Sequence, residues 1–203
     1  MNLKNVKQTD EMTKCGLTKK MVADGMTHAY SILDTIDAGI TKQGEKRLAE
    51  LVELANYSSI FGNLICTGIV KNSSKIFKKN RPHAYPDILA NNKKSKDIEI
   101  KVALEKNKPK GHLAKAGYYI TIRYVLGDYD GNYKAGTDNR GDVIWIYEIQ
   151  FGYLRTSDFN LSNTAGDSGK TAVINKEGWK KLKNVYLDRD FFDELNPKKR
   201  KEN

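Results

Sequence analysis

The spacing of the apolar residues changes near residue 80, and this change limits the possible folds more than any other feature of the chain. Before that point, apolar residues recur every three or four positions, as they do along one face of a helix. After it, they alternate with polar residues or form short continuous runs, as they do in strands. The sequence therefore predicts a helical first third followed by a region rich in β-strands.

Three helical stretches are expected in the first third, after a polar arm or loosely packed start at residues 1–20. The first stretch covers residues 21–38 and is expected to end at Gly39. Thr41 is expected to cap the second, because threonine is favourable at a helix N-cap. The third follows residues 58–59. Their apolar faces contain Val22, Met26, Ala29, Leu33 and Ile36 in the first stretch, Leu48, Leu51, Val52 and Ala55 in the second, and Ile60, Phe61, Leu64, Ile65 and Ile69 in the third.

The longest expected strands lie at residues 97–102, 118–126 and 143–154, which alternate in polarity or are rich in β-branched and aromatic residues. A shorter strand is expected at residues 172–174, followed by a basic helix over residues 176–184. Helices first and strands later are typical of an α/β or α+β domain. We therefore expect a mixed central β-sheet flanked by helices.

All 203 residues fit a single domain, because the chain can bury a sizeable core and contains no long linker. Residues 1–75 are expected to be mainly helical, and residues 76–203 to contain the sheet and its loops. No apolar run approaches the roughly 20 residues that span a bilayer, and the start lacks the apolar stretch of a secretion signal. We therefore expect a cytoplasmic protein with two free cysteines and no membrane partner.

The net charge of +10 is the most informative bulk property of the chain. A basic surface attracts polyanions and steers their approach, which favours a nucleic-acid partner. The alternative is that the charge only keeps the protein in solution.

The segment at residues 97–102 places two ionisable side chains together. Side chains alternate across a strand, so Ile98 and Ile100 are expected to point into a core. Glu99 and Lys101 then point together to the opposite face. A carboxylate and an ammonium group would therefore stand side by side on one surface of the sheet.

A second carboxylate is expected next to this pair. Pro86 and Asp87 open a short apolar piece, and residues 90–96 have the composition of a turn. A hairpin-like return would bring Asp87 beside Glu99. Two carboxylates suit Mg²⁺, with Mn²⁺ as a substitute, and Lys101 could orient a water or stabilise charge. A surface hairpin with an exposed salt bridge would have the same pattern.

The order of these residues resembles the signature of the PD-(D/E)XK nuclease superfamily. Pro86 and Asp87 are followed by eleven residues and then by Glu99, Ile100 and Lys101. The resemblance implies metal binding by Asp87, Glu99 and the carbonyl of Ile100, with Lys101 as the catalytic lysine. The length, the helical start and the basic charge look like the type II restriction endonucleases of that superfamily. The resemblance thus implies a restriction-endonuclease-like fold and a bacterial or archaeal source.

Other residues are weaker candidates for the same site. Glu45 lies at the edge of the second helix and could be an accessory metal ligand, or an acidic residue favoured at a helix start. Residues 106–117 are rich in lysine and could follow a phosphate backbone or form a solvated loop. The phosphate-contact candidates are Lys108, Lys110, His112 and Lys115.

Residues 160–170 form a polar loop that could reach base edges or be an ordinary turn. It contains the segment GDSGKT, which is not a P-loop, because Thr164 stands where that motif needs glycine. The base-contact candidates in it are Asn163, Thr164, Ser168 and Lys170.

The expected function is that of a Mg²⁺-dependent type II restriction endonuclease, which cuts double-stranded DNA at a short palindrome and is paired with a cognate DNA methyltransferase. A two-fold site calls for a homodimer, and the apolar faces at residues 21–37 and 58–70 exceed what one small sheet needs. One alternative is a structure-specific or repair nuclease on the same scaffold. Another is a basic DNA-binding module without catalysis.

Overall fold

A six-stranded mixed β-sheet is the frame on which the other elements pack in this computed structural model. The structure describes residues 5–82, 84–111, 113–136, 138, 140–162 and 171–197. Neighbouring strands are antiparallel except β3 and β5, which run parallel. Across the sheet the order is β1 (Phe77–Lys79), β2 (Ile88–Ala90), β3 (Ile98–Leu104), β5 (Gly117–Gly127), β6 (Val143–Leu154) and β9 (Lys183–Leu187). The expected mixed α/β architecture is confirmed.

The helices of the first third cover one face of this sheet. They are α1 (Asp10–Lys14), α2 (Lys19–Thr41), α3 (Leu48–Leu51) and α4 (Leu54–Lys71). The main core lies between α2, α4 and the apolar face of β3, β5 and β6. Ile98 and Ile100 of β3 point into this core, as the alternation predicts.

A small second sheet and a helix cover part of the opposite face. The small sheet consists of β4 (Lys110–Gly111), β8 (Thr171–Ile174) and β7 (Phe159–Ser162), in that order. It is followed by α5 (Lys176–Lys181), and α6 (Arg189–Leu195) packs against β6. A second core cluster, which contains Tyr119, Leu154, Ile174 and Leu182, fills this side.

The two long helices approach each other closely at two glycines. A Cβ atom added to Gly68 would lie 2.8 Å from the Cα of Gly25 and 2.7 Å from the Cβ of His28. A Cβ atom added to Gly25 would lie 2.6 Å from Cγ1 of Ile69. Glycine therefore lets α2 and α4 pack backbone to backbone, which brings α4 onto β3.

The expected boundary between the first two helices is wrong. Gly39 does not end α2, which continues to Thr41, and Thr41 donates a hydrogen bond from its hydroxyl to the carbonyl of Asp37 at 2.7 Å instead of capping a new helix. The N-cap of α4 is Glu53, so this helix starts earlier than expected. A single exposed glycine costs a long helix only about 1 kcal/mol, which packing against α4 offsets.

Two segments near the ends of the described chain, residues 5–20 and 183–187, are more structured than expected. The start is packed rather than loose, because Met12 and Leu17 are buried beside α1, which Thr9 caps. The basic helix expected over residues 176–184 ends at Lys181, and β9 follows it as an edge strand of the main sheet. The expected helix overran the polar first residues of β9, Lys183 and Asn184, which precede the buried residues Val185 and Tyr186.

The apolar faces of α2 and α4 are used within the chain. Met26, Ala29 and Leu33 of α2 and Phe61 and Ile65 of α4 are each at most 2% exposed. The large exposed apolar side chains of the described residues lie on other elements. Most of each face is therefore used within the chain, while Ile36 of α2 and Ile60 of α4 are only partly buried, and the expected dimer surface stays a prediction. Within the described ranges, no helix is long and apolar enough to cross a membrane.

We predict opposite effects for two Gly→Ala substitutions in helices. Gly68→Ala should lower the free energy of unfolding by about 1–3 kcal/mol, because the new methyl group meets the backbone of α2. Gly39→Ala is the matched control: a Cβ atom there meets nothing within 4 Å, so stability should rise by up to about 1 kcal/mol. Urea unfolding measures both, and equal effects would contradict the packing described here.

Candidate active site

The pairing of β2 with β3 brings Asp87 beside Glu99. Ile88 is paired with Ile98, so the residue before β2 lies next to the second residue of β3. The backbone N–H of Asp87 donates to Oε2 of Glu99 at 3.1 Å, and the N–H of Ile100 donates to Oδ2 of Asp87 at 2.8 Å. The expected hairpin-like return is confirmed, and each carboxylate is held by the other strand.

Asn80 fixes the Pro86–Asp87 segment from the other side. Its side-chain amide donates to the carbonyl of Pro86 at 2.7 Å, and its backbone N–H donates to the carbonyl of Asp87 at 2.9 Å. These bonds continue the β1–β2 pairing by one step beyond Lys79 and Ile88. Asn80 is therefore a positioning residue that the sequence analysis missed, because its partner is defined only by the register of β1.

Glu99 and Lys101 form an ion pair on the face of β3 that points away from the main core. Glu99 is 6% exposed, and the ammonium group of Lys101 contacts its Oε1 atom. Burial raises the pKa of Glu99 above its ordinary value, Lys101 opposes this shift, and Asp87 adds to it. The β4 backbone lies against Lys101, since a Cβ atom on Gly111 would be 3.4 Å from its Cε.

The donor atoms at this site fit a small divalent cation. Two carboxylates meet beside one lysine, and the pKa of Glu99 is raised first by burial and then by the neighbouring Asp87, so a bound cation would favour its ionised form. Carboxylate and carbonyl oxygens are the ligands that Mg²⁺ prefers. In the described part of the chain, no group of three or more histidine, cysteine, aspartate or glutamate residues could hold a metal. The carbonyl of Ile100, whose N–H is bonded to Asp87, would be a further oxygen ligand.

Two concave surfaces open from the carboxylates. The first, the helix groove, has a volume of about 240 Å³ and lies between α4 and β3. Asp87, Lys101 and Lys110 line one side of it. The polar side of α4 lines the other, with Ser58, Ser59, Gly62 and Asn63. The sequence analysis missed this face, although the spacing of Ser59 and Asn63 by four residues places both on one side of a helix.

The second surface, the aromatic pocket, has a volume of about 360 Å³ and lies between the main sheet and the small sheet. Asp87, Glu99 and Lys101 stand at one end of it. Its apolar lining includes Tyr85, Leu113, Tyr119, Phe159 and Ile174.

A larger cavity of about 950 Å³ lies elsewhere, between α2 and the start of β6. Its charged groups include Asp37 and Arg47, which pair with each other at 3.2 Å. None of the predicted site residues lines it. We assign the site to the carboxylate cluster, because size alone does not supply reactive groups.

The predicted phosphate-contact lysines differ in which of the two concave surfaces they line. Lys110 lines both the helix groove and the aromatic pocket. Lys115 lines the pocket, with its Nζ 4.5 Å from the centre of the Tyr85 ring. Lys108 is exposed and lines neither surface. The remaining candidates, His112, Asn163, Thr164, Ser168 and Lys170, lie outside the described residues.

Glu45 does not lie on a helix as expected. It is exposed in the connection between α2 and α3, and its backbone N–H donates to the carbonyl of Ile40 at 3.3 Å. It lines neither the helix groove nor the aromatic pocket. The structure therefore does not bring Glu45 together with Asp87 and Glu99.

The polar face of the main sheet extends beyond Lys101. In the register of the sheet, Lys101 is paired with Thr121, and Thr121 with Gln150. The Thr121 hydroxyl and the side-chain Oε1 atom of Gln150 are buried and have no hydrogen-bond partner among the described residues. Next to them, Arg123 and Glu148 form a buried ion pair. The polar groups of this face therefore continue from the candidate site across β5 and β6.

Comparison with known proteins adds no assignment. No model of a known protein family matches the chain, and no curated protein sequence matches it. The interpretation of the site therefore depends on its geometry and chemistry.

We predict that Mg²⁺ stabilises the protein through these two carboxylates. At a tenfold excess over its Kd, Mg²⁺ should raise the Tm by roughly 3–6 °C. Glu99→Gln should abolish this increase. The control Glu177→Gln should keep it, because Glu177 is exposed on α5 and paired with Lys180. Differential scanning calorimetry gives both values, and an increase retained in Glu99→Gln would exclude this site.

The pH dependence of the stability of the metal-free protein gives a second test of the environment of Glu99. Since its pKa is raised on folding, the folded protein binds more protons than the unfolded chain between the two pKa values. Stability should therefore fall as the pH rises from the ordinary glutamate pKa through the raised one. Glu99→Gln should remove this part of the slope in a series of thermal unfolding curves.

Proposed function

We propose that this protein is a Mg²⁺-dependent endonuclease that hydrolyses phosphodiester bonds in double-stranded DNA, of the type II restriction class with a restriction-endonuclease-like fold. The observation that carries the proposal is the convergence of Asp87 and Glu99, held by hydrogen bonds between β2 and β3, beside Lys101. Two carboxylates and one ammonium group in this arrangement suit the hydrolysis of a charged ester.

Each side chain has a distinct task in the proposed reaction. Asp87 and Glu99, with the Ile100 carbonyl, would hold a divalent cation, which supplies positive charge for the phosphate and makes a water more acidic. Hydrolysis then joins the water oxygen to phosphorus and breaks one bridging P–O bond, while the water gives up a proton to solvent and the departing sugar oxygen takes one up. Lys101 donates to Glu99 in the free protein and would turn toward the attacking water or the phosphate. Asn80 holds the Asp87 backbone in place during these events.

The surroundings of the carboxylates support a polyanionic substrate. Lys110 stands at both concave surfaces and Lys115 at one, while the whole chain has a net charge of +10. A DNA backbone that follows Lys110 would pass directly over Asp87 and Lys101. These lysines would contact phosphates and not bases, so they would set affinity and not sequence preference.

Cutting both strands calls for two copies of this site. A chain with one carboxylate cluster reaches one scissile phosphate, and antiparallel strands related by a two-fold axis suit a homodimer. The proposal therefore includes a homodimer on a palindromic sequence and a DNA methyltransferase that protects the host. Since most of the apolar surface of α2 and α4 is buried within the chain, symmetry is the main support for this part.

Substitution of the three site residues tests the proposal. Asp87→Ala and Glu99→Ala should lower the cleavage rate of plasmid DNA by at least about a thousandfold, and Lys101→Ala nearly as much, because each removes a group that acts in the transition state. Lys101→Arg should not restore the rate. The matched control Lys20→Ala, on an exposed pair with Asp24, should cut normally.

The form of the product separates the related functions. Discrete fragments and direct conversion of supercoiled plasmid to linear DNA are expected for a dimeric restriction enzyme. Nicked circles, or cutting only at junctions and flaps, would favour a repair nuclease. Intact DNA in Mg²⁺ and Mn²⁺ at every pH, with binding retained, would leave a DNA-binding module without catalysis.

A further inference from the structure

The aromatic pocket is built unlike a surface for a phosphate backbone. Tyr119 of β5 and Phe159 of β7 pack against each other in one wall of the pocket, with their ring centres 5.6 Å apart and their planes tilted by 55°. Ile174 of β8 extends the apolar wall, and Leu113 stands at the rim with 59% of its surface exposed. A contiguous apolar wall beside a charged cluster is typical of a site for a planar, weakly polar group.

The two tyrosines of the pocket are held in fixed positions. The Tyr85 hydroxyl donates to the carbonyl of Ala116 at 3.1 Å, and the Tyr119 hydroxyl donates to the carbonyl of Lys115 at 2.8 Å. The Lys115 ammonium group lies over the Tyr85 ring. The same short segment therefore anchors both rings and presents a cation, so the pocket is formed before any ligand binds.

The charges at the pocket restrict its occupant. Lys101, Lys110 and Lys115 line it together with the metal-binding candidates Asp87 and Glu99. A purely apolar ligand would not use these cations. A group that joins a flat apolar ring to a phosphate would place the ring against the aromatic wall and the phosphate at the lysines.

We propose that the aromatic pocket binds one unstacked nucleobase of the DNA substrate, next to the phosphate that lies at Asp87, Glu99 and Lys101. A base inside a duplex has both faces covered by its neighbours and cannot enter a pocket between two sheets. The bound base is therefore extrahelical, either unpaired from the start or rotated out of the helix on binding. This inference deepens the proposed function and rests on it for the position of the phosphate.

DNA with a preformed extrahelical nucleotide tests the proposal directly. The Kd of the protein is measured in Ca²⁺ for three duplexes of one sequence. One is fully paired, one has a single bulged nucleotide, and one has the same bulge without its base. The bulged base should bind about tenfold more tightly than the baseless bulge, because stacking in the pocket depends on the base alone. The two bulges share one backbone, so bending of the DNA does not explain the difference.

Two leucine variants assign the effect to the pocket. Leu113→Ala should reduce the preference for the bulged base at least threefold, because it removes part of the rim. Leu161→Ala is the matched control, since Leu161 is 61% exposed on β7 and does not line the pocket. Both side chains are exposed, so neither variant should unfold the protein. Phe159→Ala, checked for folding by circular dichroism, should abolish the preference.

The possible results distinguish the two proposals. Equal affinity for the bulged base and the baseless bulge would overturn the pocket assignment, whether or not the protein cuts DNA. A preference that Leu113→Ala leaves unchanged would overturn it as well. A preference that is lost in Leu113→Ala supports the pocket even if wild-type protein fails to cleave in Mg²⁺, a failure that would overturn the proposed nuclease activity instead.

Discussion

The hydrogen bonds that tie Asp87 to β3 are the interaction on which the rest of the site depends. Asp87 gives its N–H to Glu99 and takes one from Ile100, so the two strands cross-link through the groups that would bind a metal. Loss of this pairing would separate the carboxylates and also expose Ile88 and Ile98, which are fully buried beside it. Folding of the sheet and assembly of the site are therefore the same event.

The site concentrates unfavourable electrostatics on one face of a stable sheet. Glu99 is buried next to a second carboxylate, and burial raises its pKa although Lys101 is in contact. Further along the same face, the Thr121 hydroxyl and the side-chain oxygen of Gln150 have no partner among the described residues. On the opposite face, α2 and α4 cover the sheet with apolar side chains, which pack without a buried carboxylate pair. Such a division is expected where stability is given up for binding.

The alternation at residues 97–102 was sufficient to predict which face of β3 joins the apolar core and which holds Glu99 and Lys101, but it did not predict that Glu99 is itself buried. A turn composition before it predicted the return that brings Asp87 close. Asn80 could not be predicted, because its role depends on the register between β1 and β2, which is a tertiary property. The helix boundary at Gly39 was wrong for a related reason: packing of α2 against α4 outweighs the propensity of one glycine.

The central claim is that Asp87 and Glu99 hold one divalent cation between β2 and β3. Anomalous diffraction from crystals of the wild-type protein, saturated with Mn²⁺ in the presence of DNA, tests it most directly. The account predicts a peak about 2.0–2.3 Å from carboxylate oxygens of both residues, with the Ile100 carbonyl as a further ligand and a phosphate oxygen opposite. A structure of the bound complex with no peak between the two carboxylates, or with Mn²⁺ held by other side chains alone, would contradict it.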